Sequence, residues 1–273
     1  MGEFRVGGFA GRTGKVHFGQ WVPVDPHAAV VFFHGLGEHI GSYEPLAAAL
    51  NATGFAFWAH DHAGHGRSEG ERVLVESVDD LLDDAETLLD LARARHPGLP
   101  VVLAGHSLGA TVAALLTAER LLGTGKAPAA LVLTGASLLP EASPLEALLA
   151  SGVDPWDLRK DPGEMTRHTG YAEQLRNDPL TWQGGLRRET LRALTEAAPR
   201  THAAVPKLDL PVLLLHGAED DLAPATSAAR AADVLPDARL AVFPEDRHNI
   251  LNEIDRDEVH RVFADFVAQH TRG

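Results

Sequence analysis

The chain contains no cysteine, which rules out disulfides, thiolate metal ligands and a cysteine nucleophile. It also lacks any apolar run approaching the roughly 18 residues that a membrane-crossing helix needs. Positive charge is in deficit: 24 Lys and Arg face 38 Asp and Glu, for a formal net charge of -14. Such a surface repels phosphate backbones and anionic headgroups, so nucleic acid is not an expected partner and any membrane contact must be apolar. No basic stretch followed by an apolar one begins at Met1, so a soluble, cytoplasmic protein is expected. Internal repeats and low-complexity tracts are absent as well.

What is present is ordinary globular composition, with 45% hydrophobic and 23% charged residues over 273 positions, enough for one α/β domain with a small insertion. Residues 4–9 and 15–22 flank Gly11-Arg12-Thr13-Gly14 and predict an antiparallel hairpin. Buried strands follow at 28–33, 54–59, 101–104 and 129–134, alternating with helices at 43–51, 78–95 and 110–122. In the 78–95 helix Leu81, Leu82, Ala85, Leu88 and Leu89 recur at helical spacing, and Asp79, Asp80, Asp83, Asp84, Glu86 and Asp90 read as a solvated face. Ser77 with Asp80 resembles a capping box. After 129–134 the next clear strand is 213–216, and the long interval between carries short helical patterns at 144–149, 170–176 and 186–197. It is too long for a loop and reads as an inserted cap. A helix at 225–234, a strand at 240–243 and a helix at 256–270 complete a mostly parallel, doubly wound α/β sheet.

Gly105-His106-Ser107-Leu108-Gly109 falls between the 101–104 strand and the helix after it. A serine at the tip of so tight a strand-to-helix turn is a nucleophile elbow, and the small neighbours are what the strained turn requires. Its hydroxyl needs a histidine to take its proton and a carboxylate to hold that imidazole. In the chain order Ser, acid, His, the acid belongs after the 213–216 strand, where Glu219, Asp220 and Asp221 stand in a row. Asp220 is favoured, although each of the three fits on chemistry alone. Among 15 histidines, His248 follows the last strand and precedes the final helix, as the base should; His260 and His270 fall within that helix and read as surface residues.

A tetrahedral intermediate needs backbone N–H donors for its negative oxygen. Leu108, directly after the nucleophile, and Leu36, in the loop His34-Gly35-Leu36-Gly37, are the candidates. A phosphate-binding reading of that loop fails at Ile40, where a third glycine is missing, and at the acidic Glu38. His60, Asp61, His62 and His65 have the look of a metal cluster, but they follow a buried strand and read as braces of its terminal loop, with no metal expected.

With these residues the chain resembles the monoacylglycerol lipase branch of the α/β-hydrolases, which includes lysophospholipases. The carriers are His34-Gly35-Leu36-Gly37-Glu38-His39, the run from Asp61 to Gly70, the elbow, Leu215-His216-Gly217-Ala218-Glu219-Asp220, and His248 with Asn252-Glu253. The resemblance implies an α/β-hydrolase core at 1–137 and 209–273, with a helical cap at 138–208. It selects Asp220 as the acid. It also implies a cofactor-free hydrolysis of glycerol monoesters, with a small lipid ester as the partner molecule and peripheral membrane contact through the cap. The acyl chain would lie under the cap and the glycerol near Glu38 and His106, with Leu138, Leu139, Leu145, Leu148, Leu149, Val153 and Trp156 lining the channel or packing the cap. Ser42 stands where several relatives carry arginine near the glycerol, which weakens strict selectivity. The alternatives are a broad carboxylesterase or thioesterase and a non-catalytic binding protein of the same fold.

Overall fold

The computed structural model describes residues 3–140 and 144–272, with the side chains of 144–146 left undescribed. Eight strands form one sheet: β1 (Glu3–Ala10), β2 (Lys15–Val22), β3 (Ala28–Phe33), β4 (Phe55–His60), β5 (Val101–His106), β6 (Ala130–Thr134), β7 (Val212–Gly217) and β8 (Ala238–Phe243). Their order is β1-β2-β4-β3-β5-β6-β7-β8. The hairpin β1–β2 closes through Gly11 N to Gly14 O at 2.8 Å and joins the sheet antiparallel to β4; β3 to β8 pair in parallel.

The inner strands are buried at every position because both faces are covered, and are polar only at His60, His106, Thr134 and His216 near their carboxyl ends. On one face Val31, Leu103, Leu131 and Leu214 pack under α2 (Val78–Arg95) and α3 (Leu108–Leu116). On the other, Val30, Phe32, Val102 and Leu213 meet α1 (Glu44–Ala52) and α9 (Arg256–Thr271) through Leu46, Leu50, Phe263 and Phe266. The parallel strands therefore deliver their carboxyl ends, at Phe33, His106, Thr134, Gly217 and Phe243, to one edge, the usual ligand edge of such a sheet.

The chain between β6 and β7 forms α4 (Pro144–Ser151), α5 (Pro162–Met165), α6 (Thr169–Asn177) and α7 (Arg188–Ala204), with a short 3₁₀ turn at Pro155–Asp157; α8 (Ala225–Val234) follows β7. The end of α7 is not purely cap: Ala193, Ala197 and Ala204 pack into the same core as α3.

Three expectations need correction. The helix expected at 110–122 begins at Leu108 and loosens into a π turn at Thr117–Leu121, closed by Leu122 N to Thr117 O at 2.9 Å. Ser77 caps α2 through Asp79 N at 3.1 Å, while the Asp80 carboxylate turns to Arg12 at 3.3 Å instead of completing a box. The acidic face of α2 is paired as much as solvated: Arg120 bonds Asp83 and Glu86, and Arg200 bonds Asp79. Asp84 is buried beneath the hairpin turn, and burial together with Asp80 and Asp83 pushes its carboxyl up to about 6.

Candidate active site

The site is assembled from four loops at the carboxyl edge of the sheet. In the first, β5 runs into the elbow and Ser107 takes φ 52° and ψ -115°, a left-handed conformation that a non-glycine residue adopts only when its surroundings enforce it. Close approach explains the flanking glycines. A Cβ on Gly109 would lie 1.9 Å from Phe33 O, and one on Gly105 2.2 Å from the Gly109 carbonyl. Ser107 N bonds Thr134 O at 2.9 Å, which ties the elbow to β6. Leu108 opens α3, so its N–H has no acceptor within the helix.

The second loop leaves β3. The Glu38 carboxylate accepts Gly35 N at 2.8 Å and also takes the Tyr43 hydroxyl. His34 Nε2 accepts the N–H of His62 at 3.0 Å, so the proton sits on Nδ1, which donates to Gly35 O at 2.7 Å. That carbonyl shares a trans peptide with the Leu36 N–H. Fixing the carbonyl toward His34 turns the N–H the opposite way. From the cap, Trp182 N donates to Gly37 O at 2.8 Å and holds the far end of the same loop.

The third loop follows β7. Asp220 is 5% exposed. Its Oδ1 accepts Leu222 N and Ala223 N, both at 2.9 Å, and its Oδ2 meets His248 Nδ1 at 2.8 Å and His216 Nε2 at 3.3 Å. Burial pushes this carboxyl up, but the bonds from His216 and His248, the His248 charge and the Ala223 N–H outweigh it and hold the group well below the usual carboxylate range. Glu219 is exposed, and Asp221 pairs with Lys160 of the cap. Of the three consecutive acids, only Asp220 meets a histidine of the site.

The fourth loop carries His248. Asn249 N bonds Met165 O of α5 at 2.9 Å. Glu253, fully buried, accepts the N–H groups of Arg167, Arg247 and Ile254. The Arg167 guanidinium from the cap also spans Glu245, Asp246 and Asp255. The His248 ring packs on His106 with centroids 4.8 Å apart. His106 is buried, and its Nδ1 donates to Thr134 Oγ1 at 3.1 Å. Burial lowers it to about 4, so it is neutral at ordinary pH.

Ser107 and His248 open onto one cavity of about 420 Å³, walled by Leu36, Leu108, Leu175, Leu194, Trp182 and Leu222 among others. Ser107 Oγ makes no hydrogen bond among the described residues.

Several expected lining residues sit elsewhere. Leu138 and Leu139 pack in the core, and Leu139 N bonds Ser227 Oγ at 2.9 Å. Leu148 and Leu149 are half-buried on α4 and off the cavity wall. The side chain of Leu145 lies outside the described residues. Val153 and Trp156 are exposed, the Trp156 ring meeting Trp182 edge to face. His106 stands behind the cavity, while Glu38 reaches its edge with its carboxylate engaged by the loop. A helical pattern in a cap shows which residues are apolar but not which face the cavity. The supports His216, Arg167 and Trp182 escaped the sequence reading. His216 lies within a quoted motif but was given no role of its own; Arg167 and Trp182 carried no local signal.

The histidine-rich run braces its loop. The Asp61 carboxylate accepts Ile40 N and Arg67 N, each at 2.8 Å. His60, His62 and His65 cluster in a buried group with His34, their rings tilted or edge to face with centroids as close as 4.3 Å. Burial lowers all four, His60 to about 3. His260, expected at the surface, is buried and donates to Leu251 O at 2.8 Å.

A serine at a strained turn, a buried histidine with a bonded carboxylate and an apolar cavity between them constitute equipment for acyl transfer. Residues 24–255 match the family described as serine aminopeptidase, S33. The human monoglyceride lipase is 36% identical over 211 residues, covering 74% of this chain and 68% of that protein. The monoacylglycerol lipase of Mycolicibacterium smegmatis is 30% identical over 96% of each chain. The crystal structure of a monoacylglycerol lipase from Paleococcus ferrophilus superposes with a TM-score of 0.77 at 25% identity, covering 98% of this chain and 99% of that one. The chain is a serine ester hydrolase of the α/β-hydrolase fold and belongs to the serine aminopeptidase S33 family.

Proposed function

We propose that this enzyme hydrolyses monoacylglycerols to a fatty acid and glycerol, with Ser107 as nucleophile, His248 as general base and acid, and Asp220 as the carboxylate that orients it. The observation that carries this reading is the 2.8 Å bond from His248 Nδ1 to Asp220 Oδ2 beside a cavity that also holds Ser107. The named relatives, all acting on monoglycerides by their descriptions, support the choice of ester. An apolar cavity of about 420 Å³ suits one acyl chain.

In the first half-reaction His248 takes the Ser107 proton as Oγ attacks the ester carbonyl carbon. The oxyanion is received by the N–H groups of Leu36 and Leu108. On collapse the glycerol oxygen leaves with the proton from the imidazolium, and the acyl group remains on Ser107. Water then attacks the acyl-enzyme, losing its proton to His248, and the returned proton restores the Ser107 hydroxyl as the fatty acid departs. Asp220 stays ionised throughout and stabilises the imidazolium. No metal or cofactor enters this scheme.

The test is glycerol release from a monoacylglycerol, with Ser107→Ala protein as the blank. Release by the wild type alone supports the reading; equal release by Ser107→Ala overturns it.

A further inference from the structure

The reaction leaves open what recognises the free hydroxyls of the alcohol. Of the groups that the resemblance places near the glycerol, Glu38 is already engaged and His106 stands behind the cavity, while Ser42, where relatives carry arginine, is off its wall. The Glu38 carboxylate holds Gly35 N and Tyr43. Ser42 is 3% exposed, lies beside the Tyr171 hydroxyl and is not on the cavity wall.

Three residues of that wall each carry a buried side-chain oxygen without a hydrogen-bond partner among the described residues: Asn249 Oδ1, Ser137 Oγ and Thr181 Oγ1. Buried polar side-chain atoms are nearly always hydrogen-bonded, so unpartnered ones gathered beside a substrate cavity are candidates for substrate contact. Their positions divide them. Thr181 adjoins Trp182, which holds the oxyanion loop at Gly37. Asn249 follows His248 directly, and Ser137 lies in the segment after β6, which abuts His248 where a Cβ on Gly135 would come within 3.1 Å of His248 O. The leaving oxygen must take its proton from His248, so the rest of the alcohol lies on the His248 side of Ser107.

We propose that Asn249, seconded by Ser137, is the alcohol subsite: its primary amide hydrogen-bonds the free hydroxyls of the leaving polyol and selects glycerol esters over simple alkyl esters. Asn249 is 4% exposed. Its backbone N–H is committed to Met165 O, which holds the residue in place, while its side-chain Oδ1 has no partner among the described residues. This inference rests on the monoacylglycerol reading and names the group that confers it. An amide suits the task because it both donates and accepts, as each hydroxyl does.

The experiment compares kcat/KM for a monoacylglycerol and for the methyl ester of the same fatty acid in wild type, Asn249→Leu, Asn249→Ser and Ser137→Ala. Labelling by a fluorophosphonate confirms that each variant is folded. The expected result is a fall of at least 10-fold in the glycerol-to-methyl ratio for Asn249→Leu, about 1.4 kcal/mol of discrimination, with a smaller fall for Asn249→Ser and Ser137→Ala. An unchanged ratio overturns the proposal, whether both activities hold or both fall together. The second pattern would assign Asn249 to support of the His248 loop. A wild type that labels but does not cleave the glycerol ester instead refutes the monoacylglycerol reading, and the subsite falls with it.

Discussion

Asp220 and Asp221 are consecutive in the chain and serve opposite surroundings: the first is buried against His248 at 2.8 Å, and the second reaches outward to Lys160 of the cap. Asp220→Asn therefore removes the charge that stabilises the imidazolium and should lower kcat by about 10⁴. Asp221→Asn removes an exposed ion pair worth at most about 1 kcal/mol and should change kcat less than 3-fold or so. Steady-state kinetics on both variants checks the pair, and a more damaging Asp221→Asn would reverse the assignment of the acid.

Gly109 is a packing position of the elbow. A methyl group there would stand 1.9 Å from Phe33 O, a backbone atom of a central strand that has no room to yield. Gly109→Ala should cost about 3 kcal/mol or more and appear as a large drop in melting temperature. A variant that melts with the wild type would mean that the elbow tolerates a displacement the packing does not allow.

Acid should weaken the fold well before ordinary carboxylates titrate. His34, His60, His62, His65 and His106 all sit below their usual value of 6.5, chiefly through burial. Below about 6.5 the unfolded chain therefore binds more protons than the folded one, and stability falls with pH down to about 3, where His60 itself takes a proton. Asp84 and Asp246 act in the opposite sense, since each is raised to about 6 and protonates first in the folded state. Five imidazoles outweigh two carboxyls. The melting temperature should fall from pH 7.5 to pH 5, and a rise would show that the carboxyls dominate.

How much of this was legible in the chain depends on whether the determinant is local. The bounds of α2, Val78–Arg95, follow from its own periodicity and from Ser77. The elbow follows from its two glycines, and the place of His248 from its loop in the chain order. Asp84 and His260 were misread because their burial comes from distant segments, the hairpin turn and the Leu251 carbonyl. The cap was misread for the same reason. Leu138 is apolar for the core, whereas Leu175, Leu194 and Trp182 face the cavity, and only the packing of α6 and α7 distinguishes them. Arg167 acts across 86 positions on Glu253, a pairing without a local pattern.

The central claim is that this active site takes glycerol monoesters. The measurement that tests it most directly is kcat/KM at one fixed acyl chain for a monoacylglycerol, the diacylglycerol and an aryl ester, with Ser107→Ala protein as the blank. The account predicts the highest value on the monoester among the two glycerides, substantial turnover relative to the aryl ester, and none with the blank. Cleavage of the aryl ester alone, or a preference for the diacylglycerol, would contradict it.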